Sequence, residues 1–255
     1  MVAPSRFESN GSFRFYQKFD FAKSDGDLMT FPYTIIDLTH TLDENIPSWN
    51  GGCGFQCEIT SDYSDSTTEA KFRTQQWTMR AGMGTHVDAP AHCIPGAPSI
   101  DQIPLSQLCV PCIMMDVSAA SHEHYSVSLQ DIAQFENKYG RILAGTFVMI
   151  KTGWERFWHI PGKYHNNYLF PSVSIEAAEL LVNRGVCGLG IDTLSPDRPE
   201  SGYPVHQLFL GKGKYLVENA ANLDSLPAQG GFILILPMKI KGATEAPIRL
   251  VALVE

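Results

Sequence analysis

Gly82-Met-Gly-Thr-His86-Val-Asp88-Ala-Pro-Ala-His92 is the densest cluster of chemistry-bearing residues in the chain. Residues two apart on extended chain share a face, so His86 and Asp88 point at a common centre if a strand runs through them. His92 then approaches the same centre from a turn at Ala89–Pro90. Neutral imidazole together with carboxylate suits zinc, manganese or iron, whereas calcium prefers oxygen alone. Spacing alone also fits a polar loop with a capping Asp and surface histidines. A second group lies downstream. Gly190-Ile-Asp192 follows a strand-like run, His206 precedes the apolar Gln-Leu-Phe-Leu-Gly, and Glu218 ends the strand-like 214–217. Gly211 and Gly213 would let those two elements fold back on each other and bring His206 and Glu218 to one rim.

Short β-branched runs bounded by turn residues at 33–38, 72–79, 113–117, 146–150, 186–191, 232–236 and 247–254 predict at least seven strands. Two helices carry end signals. Ser128 with Asp131 opens one that Gly140 stops, and Ser174 caps 175–184, with Glu176 in its first turn and Gly185 after its last. Strands outnumber helices, and the helices arrive late and singly. The expected fold is α/β, a single domain with a mixed, barrel-like β-sheet flanked by a few helices. Residues 1–32 are polar and weakly periodic and read as an N-terminal arm, leaving 33–255 as the folded domain.

The 255 residues are 44% hydrophobic and 18% charged, which supports a sizeable core and excludes bulk disorder. Nineteen Lys plus Arg against 27 Asp plus Glu give a net charge of −8 with no basic run, so nucleic acid is not expected as a partner. No apolar stretch approaches a bilayer-spanning length, and the first residues lack the apolar core of a secretory signal, so no membrane association and a cytoplasmic location are expected. The six cysteines are thinly spread and read as reduced. Cys109-Val-Pro-Cys112 reads as core filler, since no second CxxC accompanies it.

The segment from Gly84 to His92 resembles the HxGTHxDxPxH signature of the cyclase family of metal-dependent hydrolases, which includes bacterial kynurenine formamidases and isatin hydrolases. The resemblance runs through Asp37-Leu-Thr-His40, Ile46-Pro47-Ser-Trp49-Asn-Gly51, Lys151-Thr-Gly153-Trp154 and Gly190-Ile-Asp192-Thr to His206 and Glu218-Asn219. It implies that His86, Asp88, His206 and Glu218 bind metal, zinc or manganese, and that Asp88 and Glu218 bridge where two ions are held. It further implies that His92 is the general acid/base and that Trp49 lines the substrate pocket. Gly82 stands where the family has its first metal-binding His, so one firmly bound ion and a weak or empty second position are expected. The activity implied is hydrolysis of a small-molecule amide. N-formylkynurenine, cleaved to kynurenine and formate in tryptophan breakdown, comes first, and a cyclic amide such as isatin, or a lactone, is the alternative. A third reading is a catalytically impaired member that binds a small ligand. The family's habit implies a homodimer or homotetramer. His40 is expected to support a ligand by hydrogen bonding. His122, His124, His159 and His165 read as solvated, and Asp192 and Asp197 as turn or strand-end residues.

Overall fold

β-Branched and aromatic residues recur in the strands of this computed structural model, which describes residues 31–52 and 54–255. Nearly all of the expected arm lies outside the described residues. Twelve strands are present among them. They are β1 (Thr34–Asp37), β2 (Phe55–Ser61), β3 (Thr74–Met79), β4 (His86–Asp88), β5 (Cys109–Asp116) and β6 (Ser126–Val127), followed by β7 (Phe147–Lys151), β8 (Ser172–Val173), β9 (Gly188–Ile191), β10 (Tyr215–Glu218), β11 (Gly231–Pro237) and β12 (Glu245–Val254). The helices are α1 (Leu105–Leu108), α2 (Leu129–Tyr139), α3 (Pro161–His165), α4 (Ile175–Arg184) and α5 (Pro204–Gly211).

Seven strands close on themselves in the order β12-β11-β5-β7-β9-β10-β4, because β4 pairs with β12 as well as with β10, and β1 extends the sheet beside β12. β5, β7, β9 and β10 run parallel to their neighbours in that set, and the other pairings are antiparallel. This is the mixed, barrel-like sheet expected. Each parallel step needs a crossover, and α2, α4 and α5 occupy those crossovers in turn.

Alternation along the strands separates two cores. Val110, Cys112 and Met114 of β5, Phe147 and Met149 of β7 and Tyr215 and Val217 of β10 fill the barrel. Ile113, Val148, Leu189 and Leu216 face outward onto Ile132 and Phe135 of α2, Leu181 of α4 and Phe209 of α5. Full burial of each such side chain contributes roughly 1.5–3 kcal/mol. The inward positions of β9 are glycines for a steric reason. A Cβ on Gly188 would lie 2.8 Å from the Tyr215 ring, and one on Gly190 would lie 2.7 Å from Cε of Met149.

Both expected helices form where their caps are written. Asp131 accepts the Ser128 N–H at 2.7 Å, and Gly140 ends α2 at φ 89°. Ser174 Oγ accepts the Ala177 N–H at 3.2 Å, and Gly185 ends α4 at φ 79°. The 113–117 run proves to be the end of a longer strand that begins at Cys109. Cys109 and Cys112, three apart on it, therefore face opposite ways. Cys112 is buried in the barrel as expected, but Cys109 is exposed.

Candidate metal centre and substrate cleft

β4 is the floor of the site. Val87 points into the barrel with no exposure, so His86 and Asp88 project from the outer face. On one side β10 places Glu218 directly opposite His86, and on the other β12 places Glu245 directly opposite Asp88. Cross-strand partners share a face, so all four functional groups emerge together. α5 crosses above them and brings His206 from its first turn, and the single helical turn Pro90–His92 brings His92 to the rim.

The donors converge. His86 Nε2 lies 3.5 Å from Asp88 Oδ1 and 3.3 Å from Glu218 Oε2. His206 Nε2 lies 3.6 Å from Asp88 Oδ2 and 3.3 Å from Glu218 Oε1. Ligands held about 2.0–2.2 Å from a tetrahedral ion stand roughly 3.3–3.6 Å apart, so this spacing is that of a ligand shell. Asp88 Oδ1 and Glu218 Oε1 are buried without a hydrogen-bond partner, a costly state that a cation would relieve. The residues present thus fit a divalent metal. His92 also lies close, with ligand atoms of Asp88, His92 and His206 all within 4.8 Å of one another.

Surrounding groups fix each imidazole. His86 Nδ1 is 2.9 Å from the Gly84 carbonyl, which can only accept, so the proton sits on Nδ1 and Nε2 faces the carboxylates. The Gly84 carbonyl also accepts from Asn219 Nδ2 at 2.9 Å. His206 Nδ1 donates to Asp197 Oδ2 at 2.8 Å. The same carboxylate accepts the N–H groups of Val205 and His206 at 3.1 and 2.9 Å, so it also caps α5. Tyr203 and Asn219, neighbours of the cap and of Glu218, hold left-handed backbone at φ 60° and 56°, strain of a kind that clusters at functional sites.

Burial opposes charge on His86, yet the adjacent Asp88 and the hydrogen-bonded Glu218 carry it up to about 10. His206 is likewise raised well above its ordinary range, with Asp197, Asp88 and Glu218 overcoming burial. Burial would raise Glu218, but the imidazoles of His206 and His86, each 3.3 Å from one of its oxygens, hold it below the usual carboxylate range. Without metal, protons on the imidazoles balance the carboxylates, and a cation would displace them. His92 is different in being part-exposed. Its Nδ1 is 3.4 Å from Glu245 Oε2, and that hydrogen bond raises its pKa against burial.

A cleft of about 440 Å³ opens over these groups, walled by Trp49, Met83, Leu194 and Tyr203, with Arg80 and Asn50 among its polar residues. The Trp49 carbonyl accepts from Tyr168 Oη at 2.8 Å and pairs with His165 Nε2 at 3.0 Å. His165 therefore does not stand in solvent as expected: α3 turns it inward to anchor the Trp49 loop. His122, His124 and His159 are exposed. His40 supports no ligand; its ring stacks on Trp158 at 3.8 Å. Asp192 binds Thr152 and Trp154 N–H groups at 2.8 and 3.0 Å, a strand-end role, whereas Asp197 orients His206. Sequence reasoning missed Glu245 and the orienting role of Asp197. Neither carries a local signal: Glu245 opens a strand with no motif around it, and a loop separates Asp197 from Pro204, where the helix it caps begins.

The chain matches the family described as "Putative cyclase" over residues 36–198, and it belongs to that family. Isatin hydrolase A from Ralstonia solanacearum superposes with a TM-score of 0.81 at 32% identity, covering 88% of this chain and 92% of that one. The isatin hydrolase of Roseibium aggregatum is 28% identical, over 89% of this chain and 94% of that protein. A kynurenine formamidase of Bacillus cytotoxicus is 24% identical, over 84% and 94%. Among the described residues no helix is long and apolar enough to cross a membrane.

Proposed function

We propose that this chain is a metal-dependent amidohydrolase acting on a small aromatic amide, with a ring-opening substrate of the isatin type first and N-formylkynurenine second. The observation that carries the reading is the pair of buried carboxylates, each with an orphaned oxygen, held between two imidazoles at the floor of an aromatic-walled cleft. His86, Asp88, His206 and Glu218 would hold the cation, zinc or manganese. Such an ion supplies Lewis acidity to a carbonyl and acidifies water to near neutral pH. His92 takes the proton of the attacking water as its oxygen bonds to the acyl carbon. It then returns that proton to the nitrogen as the C–N bond breaks. The Glu245 carboxylate, 3.4 Å from Nδ1 of His92, steadies the ring for both transfers.

The order of substrates reverses the initial expectation. Isatin hydrolases are relatives at 28% and 32% identity, against 24% to 27% for kynurenine formamidases. Trp49, Met83, Leu194 and Tyr203 suit a flat, uncharged ring. Arg80 favours the second reading, because a guanidinium in the cleft can pair the carboxylate of an amino-acid substrate.

Purified protein, chelated and then reloaded with Mn²⁺ or Zn²⁺, is to be assayed on isatin and on N-formylkynurenine. Hydrolysis that disappears with chelation and returns with metal is expected. His92→Ala should lower kcat by about 10²–10⁴ while metal content is unchanged. No turnover of either compound with any added metal would instead favour a small-ligand-binding role.

A further inference from the structure

The geometry points to Glu245 as a metal ligand that takes the place of the side chain missing at Gly82, completing a second cation position on the His86 side of the centre. This rests on the reading of the centre as a metal site. It departs from the single firmly held ion that the glycine alone led us to expect.

The first observation is steric. A Cβ built on Gly82 would lie 2.3 Å from Glu245 Oε1 and 3.3 Å from His86 Nε2. A side chain at 82 and the carboxylate of Glu245 therefore claim the same space beside the same imidazole. Glu245, arriving from a different strand, stands where a side chain at position 82 would reach.

The second observation concerns donors. Ligand atoms of His86, Asp88 and Glu245 all lie within 4.8 Å of one another. Two donors at about 2.1–2.3 Å from one ion can be at most roughly 4.6 Å apart, so this cluster is close to ligand reach as it stands.

The third observation is independent of Glu245. Asp88 is 1% exposed, and its Oδ1, the oxygen turned toward His86, has no hydrogen-bond partner. Glu218 likewise turns Oε2 to His86 and Oε1 to His206. Each bridging carboxylate thus offers one oxygen to each imidazole, and the centre has two lobes. The lobe of His206 has His206 Nε2, Asp88 Oδ2 and Glu218 Oε1. The lobe of His86 has His86 Nε2, Asp88 Oδ1, Glu218 Oε2 and, with Glu245, a fourth donor from the protein. One nitrogen and three oxygens suit manganese or zinc.

The experiment uses the full chain stripped of metal and titrated with Mn²⁺, followed by calorimetry and by electron paramagnetic resonance. Two equivalents and an exchange-coupled spectrum are expected. Glu245→Ala should keep one tight equivalent with an uncoupled six-line spectrum and bind the second at least about 100-fold more weakly. The exchange variant Gly82→His/Glu245→Gly should recover two equivalents, which keeps the idea testable should Glu245→Ala fold poorly. One equivalent in the wild type overturns the inference and leaves the metal reading intact. So does Glu245→Ala that retains two equivalents and loses only kcat, since Glu245 would then serve His92 alone. Absence of any Mn²⁺ binding would overturn the metal reading itself.

Discussion

Asp197 is the residue on which the geometry of the centre most depends without itself being a ligand. Its carboxylate accepts three N–H groups: Val205 N at 3.1 Å, His206 N at 2.9 Å and His206 Nδ1 at 2.8 Å. Asp197, Val205 and His206 are 1%, 0% and 5% exposed, so water cannot take over these bonds. Leaving a buried donor unpaired costs about 1–3 kcal/mol, and the three are not additive because they share one acceptor. Asp197→Ala should therefore destabilise the protein by about 3–5 kcal/mol. Asp197→Asn keeps one acceptor oxygen and should cost about 1–2 kcal/mol, leaving a folded protein to test. In that variant the His206 ring loses the carboxylate that fixes its tautomer. Metal affinity should fall about 10–100-fold, equivalent to roughly 1.4–2.7 kcal/mol. Competition with a fluorescent chelator reads the affinity, and urea denaturation of the chelated protein reads the stability. Asp197→Asn that binds Mn²⁺ as tightly as wild type would refute the reasoning and reduce Asp197 to a helix cap.

Gly84 holds φ +62°, and a Cβ there would lie 2.4 Å from Leu42 Cδ2, so Gly84→Ala combines backbone strain with overpacking. A loss of about 2–4 kcal/mol in urea denaturation is expected, and an unchanged midpoint would contradict it. His40, half-buried against Trp158 and near His159, is pushed down from 6.5 to about 4. The unfolded chain takes up this proton below pH 6.5 and the folded chain only near 4, so the stability tied to neutral His40 is complete above 6.5 and is lost as pH falls toward 4. The full difference is roughly 3 kcal/mol. His40→Phe, which keeps the stack, should flatten that slope in metal-free protein, and parallel slopes for the two proteins would count against it.

Helices α2 and α4 were legible because their signals are local. Ser128 with Asp131 and Ser174 with Glu176 stand next to the turns they start, and a glycine stands just past each end. α5 lacked such a signal. Its cap, Asp197, is separated from Pro204 by a loop, and Val205, Leu208, Phe209 and Leu210 are too uniformly apolar to show a polar face. β2 was missed because Gln56, Glu58 and Thr60 line its exposed side and only Phe55 is buried, so no apolar run marks it. The barrel-like sheet was expected, but which strands close it could not be read, since closure depends on three-residue β4 pairing with both β10 and β12.

The site shows the same division between local and distant information. His86 and Asp88 were readable as a pair because a period of two is a property of one strand, but that period does not say which face they occupy. The structure decides it through Val87: the barrel is filled by Phe147, Met149, Tyr215 and their neighbours, so the apolar residue between His86 and Asp88 must enter it and those two side chains must leave. Once they face outward, everything else follows from register. Position 218 is opposite 86, position 245 is opposite 88, and the crossover helix that carries His206 covers that face. Glu245 was illegible because it is the first residue of the last described element, β12, with no motif around it. Its meaning arises only when antiparallel pairing sets it beside Asp88, in the space that Gly82 leaves free.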